Sequence, residues 1–535
     1  MPLRHSLALC YVRSLSALLL FAVMFVLAST GHSQDVLTYH NNNARIGLNA
    51  AETTLTPTNV NSANFGKLFS LPADGLVDAQ PLYLSAVTVS GVAHNLLIVA
   101  TEHGTVYAYD ADTGTNLWKV TTLKPGETPS DHRKCANIYP EIGITATPVI
   151  YRPKNANPAI YVVAMSKDGA AEYHQRLHAL DATNGSELRN GPVEIEAEYP
   201  GTGDNASDGN VIFDPGQYKE RAGLLLAGGR VYLAWASHCD YRPYTGWIMG
   251  YDINTLQQTT VLNLTPNGNE GAIWQSGAGM AADAEGNIFL LDGNGEFDPD
   301  LDGSGLPITG DFGNAFLRLT TEGGLAVADY FEPSNGLQES ANDADMGSGG
   351  TLLINQKDST GKLWQLAVGA GKDSNLHVVD RTNMGKFSAT KNNNYQELHG
   401  ALHGGIWSAP AAFNGSIYYG PVGSPILRFV FQNAKLLSTP AAKTANAFAY
   451  PGATPSISAN GALNGIAWAA ENTNPAVLHA YDARTLLELY NSNQAANARD
   501  QFGAGNKFIT PTIANGKVYV GTTNSVAVFG LLPPK

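Results

Sequence analysis

Ala108-Tyr109-Asp110-Ala111-Asp112-Thr113-Gly114-Thr115-Asn116-Leu117-Trp118 is the stretch that decides the fold. It follows the β-type run Leu96–Ala100, and it has relatives along the chain: Ala179-Leu-Asp181-Ala-Thr-Asn-Gly185, Gly250-Tyr-Asp252, Val378-Val-Asp380 and Ala480-Tyr-Asp482. The aspartates are spaced 71, 71, 128 and 102 residues apart, and weaker copies fill the two wide gaps at Phe316–Leu319 and Ile426–Phe429, with a last one at Val526–Phe529. A period of this length marks a repeat architecture. In each copy Asp caps a turn, and Gly, where present, supplies a positive φ.

A second repeated element opens many units: Gln80-Pro-Leu, Thr147-Pro-Val, Ala409-Pro-Ala, Thr454-Pro-Ser and Thr510-Pro-Thr. Proline donates nothing to a sheet ladder and belongs at an edge strand. In a propeller the innermost strand of each blade is such an edge, so the motif marks strand one, and the Asp turn joins strands three and four. Eight units are expected, starting near Gln80, Ile144, Ala222, Ala278, Gly349, Ser408, Ser456 and Thr510. The last is short of a strand, and Phe65–Leu71 near the start supplies one, which would close the ring and remove its open sheet edges. The expected fold is therefore all-β, an eight-bladed β-propeller over residues 65–535 closed by an N-terminal strand, after an N-terminal extension at 34–64.

Composition agrees. The chain has 535 residues with 15% charged residues and 56 glycines, about 10% Gly against a usual ~7%. That excludes disorder, coiled coils and collagen, and favours a turn-rich β protein. Residues 1–33 read as a secretory signal: Arg4 and Arg13 flank the apolar run 15–28, and Ser29, Gly31 and Ser33 offer small residues for cleavage. Export to the periplasm or beyond is expected, with no membrane span after signal removal. Losing two Arg and no acid would take the formal charge from −14 to −16. An acidic chain argues against nucleic acid and would attract cations. Cys135 and Cys239 survive signal removal; an oxidising compartment would let them pair, and two buried thiols are the alternative.

The unit at Ala108–Trp118 resembles the tryptophan-docking motif of the quinoprotein alcohol dehydrogenases, a family of eight-bladed propellers that use pyrroloquinoline quinone (PQQ) and Ca²⁺. The repeat is also shared by non-enzymatic relatives of outer-membrane assembly, so it implies fold before function. Four segments carry the resemblance further. Ile273-Trp274-Gln through Leu291-Asp-Gly-Asn294-Gly is similar to the stretch that supplies an indole under the quinone and an Asn ligand for Ca²⁺. Gly371-Lys372-Asp-Ser-Asn through Asp380-Arg-Thr-Asn is similar to the stretch whose Lys contacts the quinone oxygens. Asn342-Asp343-Ala-Asp345 precedes a strand as the family's catalytic Asp does, and His238-Cys239-Asp240 stands where the family has a metal-binding Glu.

The resemblance thus implies Asp343 and Lys372 as catalytic groups. Trp274, Lys372 and Asn294 would contact the cofactor, and Asp240 and Asn294 would be oxygen ligands for Ca²⁺. In a four-stranded blade, the loop after strand two and the loop entering strand one open on one face. Glu102, His103, Lys167, Asp168, Asp240, Trp274, Asn294, Asp343 and Lys372 all fall in or beside such loops and are expected to converge on one mouth. The chain departs from the family in three ways. The adjacent Cys-Cys pair is absent, the metal Glu is an Asp shifted by one residue, and Asn342 stands where a Trp precedes the Asp.

Outside the resemblance, Asp298-Pro-Asp300-Leu-Asp302-Gly303 has alternating carboxylates that can wrap Ca²⁺, although Thr309 rather than Glu stands at the twelfth position of an EF-hand. His399 and His403 lie on the mouth side before the sixth unit. A lyase or hydrolase using His and acidic groups in the mouth is one reading, and two others fit these residues more closely. One is a PQQ- and Ca²⁺-dependent dehydrogenase oxidising an alcohol or sugar and passing electrons to a separate acceptor, since no haem attachment motif occurs. The other is a non-catalytic propeller that binds a protein or glycan of the cell envelope.

Overall fold

Strand formation follows from alternating and continuous runs of Val, Ile, Leu, Tyr and Ala broken by Asp-, Asn- and Gly-rich turns. The computed structural model describes residues 35–534, so the signal-like residues 1–33 lie outside it. Among the described residues there are nine sheets and one short α-helix, Gly336–Ala341. Eight sheets follow one another along the chain as antiparallel meanders. The first is Leu82–Val89, Val92–Ala100, Thr105–Asp110 and Asn116–Thr121. The ninth, Glu198–Pro200 with Ala206–Ser207 and Asn210–Ile212, is a small excursion between the second and third. The eighth takes three strands from the C-terminal end and its fourth from near the start: Phe65–Pro72 pairs antiparallel with Ser525–Leu531. No helix among the described residues is long and apolar enough to cross a membrane.

The repeat has a physical role at both of its ends. The Asp110 carboxylate accepts from the backbone N–H of Asp112 and Thr113, and Asp181, Asp252, Asp380 and Asp482 cap their turns likewise. The carbonyl just after four of these aspartates receives an aromatic donor from the preceding sheet. Trp118 Nε1 donates to Ala182, Tyr161 OH to Ile253, Tyr418 OH to Ala483, and Tyr519 OH of the eighth sheet to Ala111 of the first. The Trp118 ring also lies on Gly185, where an added Cβ would meet it at 2.8 Å. The tryptophan of the motif thus docks on the next sheet, and where the chain lacks it a tyrosine from another strand reaches the same carbonyl.

The segment after the signal-like stretch laces the sheets together. Its backbone and side chains hydrogen-bond in turn to Tyr83, Ile150, Leu226, Ala282, Leu353, Ala412, Ile457 and Ile513. Each of these is the second residue of a strand, and the strands fall one in each of sheets one to eight, in chain order. The donors and acceptors come from Val36, Leu37, Asn43, Ala44, Ile46, Gly47 and Asn49. At its centre Arg45 is 1% exposed and donates to Thr38 Oγ1 and to the carbonyls of Tyr39, Leu224 and Met280.

Candidate active site

Loops from several sheets, most of them leading into the strands that the lace touches, enclose a cavity of about 290 Å³. Trp274 stands in its wall, in the loop leading to the fourth sheet. Its indole packs on Gly293, where a Cβ would approach to 2.6 Å. Arg221 lies over the same indole, 6.0 Å from the ring centroid, and 4.1 Å from that of Phe508. This guanidinium is 4% exposed, its Nε has no hydrogen-bond partner, and burial lowers it to about 10. Lys219, two residues earlier on the same strand, is fully buried, has only the Cys135 sulfur 3.7 Å away as acceptor, and is lowered by burial and by Arg221. Two buried cations therefore sit side by side without a carboxylate partner of their own.

The facing wall is an ion-pair cluster. Lys372 Nζ donates to Asp345 Oδ1 at 2.6 Å and to Asp343, and the Lys372 amide donates to the Asp345 carbonyl. Asp345 is 1% exposed with Oδ2 unpartnered, and burial pushes its carboxyl up against the pull of Lys372. Asp343 is the more open of the two, its side chain 63% exposed. It follows the short helix, whose Ser340 Oγ is tied to the Gly295 backbone, and this brings Asn294 Nδ2 within 2.7 Å of Asp343 Oδ1. Asn294 Oδ1 is buried and unpartnered. Asp240 completes the rim and accepts from Tyr244 OH; its charge and burial raise the nearby Glu270, with burial the larger cause. The two cysteines form a disulfide across the second and third sheets' loops, and Cys239 lines the cavity.

Five of the residues named from the sequence therefore meet: Asp240, Trp274, Asp343 and Lys372 line the cavity, with Asn294 hydrogen-bonded at its edge. Glu102 is buried behind it and accepts from the Gly143 amide and Thr145 Oγ1. Burial raises both Glu102 and its neighbour Asp78. Asp298, Asp300 and Asp302 are not brought there. Asp298 accepts from the amides of Asp300 and Thr309, and Asp302 from those of Ser304 and Leu306, so their carboxylates serve their own loop. Among the described residues, the group of three acidic or His side chains with converging ligand atoms is Asp168, Glu172 and His174, on a hairpin of the second sheet. His103 pairs with Glu141 and Lys167 with Asp131, and His399 is exposed beside Glu397. The carbonyl of His403, an exposed residue, accepts from Ser424 Oγ. Residues not singled out from the sequence are Arg221, Lys219, Asp78, Ser276 and Tyr450; Trp407 was marked only as leading into the sixth sheet.

A family model for PQQ-type repeats, described as outer membrane protein assembly factor BamB, matches residues 67–234. Solved structures similar over most of the chain include the quinohemoprotein alcohol dehydrogenase of Comamonas testosteroni, at 15% identity and TM-score 0.61 over 94% of this chain and 82% of that one. Another is the quinohemoprotein alcohol dehydrogenase ADHIIG of Pseudomonas putida HK5, at 13% identity and TM-score 0.60 over 94% and 82%. A europium-containing methanol dehydrogenase matches at 13% identity and TM-score 0.57 over 94% and 99%. No curated protein matches the sequence. The fold is that of a β-propeller built from PQQ-like repeats. The family model spans under a third of the chain, and at these identities it is the architecture that is shared with the solved structures.

Proposed function

We propose that the eight meandering sheets are the blades of one ring closed by Phe65–Pro72, and that the cavity at its mouth is the site of an exported quinoprotein dehydrogenase acting on an alcohol or sugar. The observation that carries the reading is Arg221: a buried guanidinium with no acceptor, laid against the Trp274 indole in the same cavity as an unpartnered Asp345 oxygen. A flat, multiply anionic ligand answers the guanidinium and the indole, and PQQ is such a ligand; the Asp345 oxygen is left to accept from a substrate hydroxyl. The donor set fits. Trp274 offers the aromatic face, Arg221 meets a carboxylate, and Lys372 reaches polar oxygens. Asp240, Asn294 Oδ1 and Asp343 are the hard oxygens a Ca²⁺ ion takes. When bound, the quinone supplies a hydride acceptor and the metal a Lewis acid.

The chain's own residues divide the remaining work. Asp345, buried and raised, accepts the substrate hydroxyl proton at Oδ2, while Lys372 holds its Oδ1 in place. Asp343, tied to Asn294, keeps an oxygen at the metal edge. Adding PQQ and Ca²⁺ to the purified protein should quench tryptophan fluorescence and support dye reduction with an alcohol or aldose. Arg221→Ala should abolish the quench, and Asp345→Asn should keep it while lowering turnover on the order of 10²–10⁴-fold. No quench at micromolar PQQ would overturn the reading in favour of a propeller that binds an envelope protein or glycan, the alternative that the BamB-family match supports.

A further inference from the structure

A second cavity, of about 170 Å³, opens beside the first and shares Asn137 with it. A small void lined by Trp407, Asn472, Asn506 and Phe508 runs between them. In the second cavity Asn506 is 6% exposed, and its Nδ2 donates to Asp78 Oδ1 at 2.7 Å. That bond fixes the carboxamide, so Oδ1 is left as a buried acceptor with no partner in a wall of the cavity. Asn137, Asn472, Thr523 and Lys507 also line the cavity, and Tyr139 contributes a ring that is 62% exposed.

From this lining we infer that the second cavity is a subsite for a neutral pyranose. Carboxamides both donate and accept, which matches pairs of neighbouring hydroxyls; an apolar ligand would leave them and Asn506 Oδ1 unpaired. An anion is disfavoured because the Asp78 carboxyl shares the wall with Lys507. A flat C–H face is what the exposed Tyr139 ring, which packs on His132 at 5.2 Å between centroids, can cover. The site does not depend on a cofactor in the neighbouring cavity, so its test is separate from that of the dehydrogenase.

The test is saturation-transfer NMR and calorimetry on the full chain with glucose, galactose, mannose, cellobiose and maltose. At least one should bind, with saturation strongest on the C–H protons of one ring face. Tyr139→Ala and Asn472→Ala, both at exposed or half-exposed positions, should each weaken binding about tenfold or more. Tyr139→Phe should stay near wild type, and Trp274→Ala should leave the affinity unchanged. No pyranose binding at millimolar concentration would overturn the inference. So would an affinity indifferent to both Tyr139→Ala and Asn472→Ala, or one lost in Trp274→Ala.

Discussion

Lys219-Glu220-Arg221 reads in the sequence as a charged strand face, and charged runs are ordinarily solvated. In the molecule all three are buried. Lys219 and Arg221 lie by Trp274 on the cavity side, while Glu220 is 5% exposed with neither carboxylate oxygen partnered. Alternation along a strand shows which residues share a face, but not that both faces are covered, and this is why the unpaired cations escaped sequence reasoning. Asp345 was legible only as half of an Asp pair; its burial comes from packing that two neighbouring residues cannot reveal. Glu220 gives a pH test. Burial raises its carboxyl well above the ordinary range, so the folded state retains a proton that the unfolded chain gives up near pH 4.5. Its effect is therefore a loss of stability as pH rises above that point. Glu220→Gln removes the titration and should stabilise the protein on the order of 1–3 kcal/mol at pH 8, with the gain shrinking toward pH 4. Paired urea titrations at the two pH values measure it, and a gain equal at both would exclude Glu220 as the source.

At the scale of the element, the repeat was the most readable feature because its chemistry is local. An Asp two residues from the amides it caps needs no tertiary context, and all five aspartates named from the sequence cap their turns. The glycine was less faithful. Leu256 and Leu486 occupy the corresponding position with φ of 58° and 54°, each about 1% exposed, so burial of the side chain offsets the left-handed backbone there. The docking partner was legible only for Trp118. Tyr161, Tyr418 and Tyr519 reach the same carbonyl from other strands, a substitution across elements that spacing cannot show. Trp118→Ala loses both the Nε1–Ala182 bond and the packing on Gly185, and should cost about 3–5 kcal/mol, read as a lowered urea midpoint. A midpoint within error of wild type would mean that the second sheet holds its place without the dock.

For the whole molecule the decisive connection is one the repeat does not contain. Residues 36–49 lie outside every copy of the motif and read as an extension, yet they touch one strand of each of the eight sheets in succession. Eight small sheets, joined by core clusters that span neighbouring sheets, gain from this segment a common set of hydrogen bonds. Its lesson for sequence reading is physical. The bonds are mainly main chain to main chain, so they leave no side-chain signature except the buried Arg45 and His40. His40 makes the lace sensitive to acid. It is fully buried, stacked on Tyr39 at 4.8 Å, with Nδ1 3.3 Å from the Arg45 carbonyl and Nε2 unpartnered. Burial lowers the imidazole to about 4, so the folded state resists the proton that the unfolded chain accepts near 6.5. The contribution is therefore complete above pH 6.5 and lost as pH falls from 6.5 toward 4, about 3 kcal/mol over that window. His40→Asn, which keeps a residue suited to the φ of 54° and removes the titration, should flatten that part of the stability curve. Unfolding free energies of the two proteins at pH 7, 5.5 and 4 would diverge in favour of the variant as the pH falls. Parallel curves would show that acid acts elsewhere in the molecule, with His238, lowered by burial to about 3, the next group to replace.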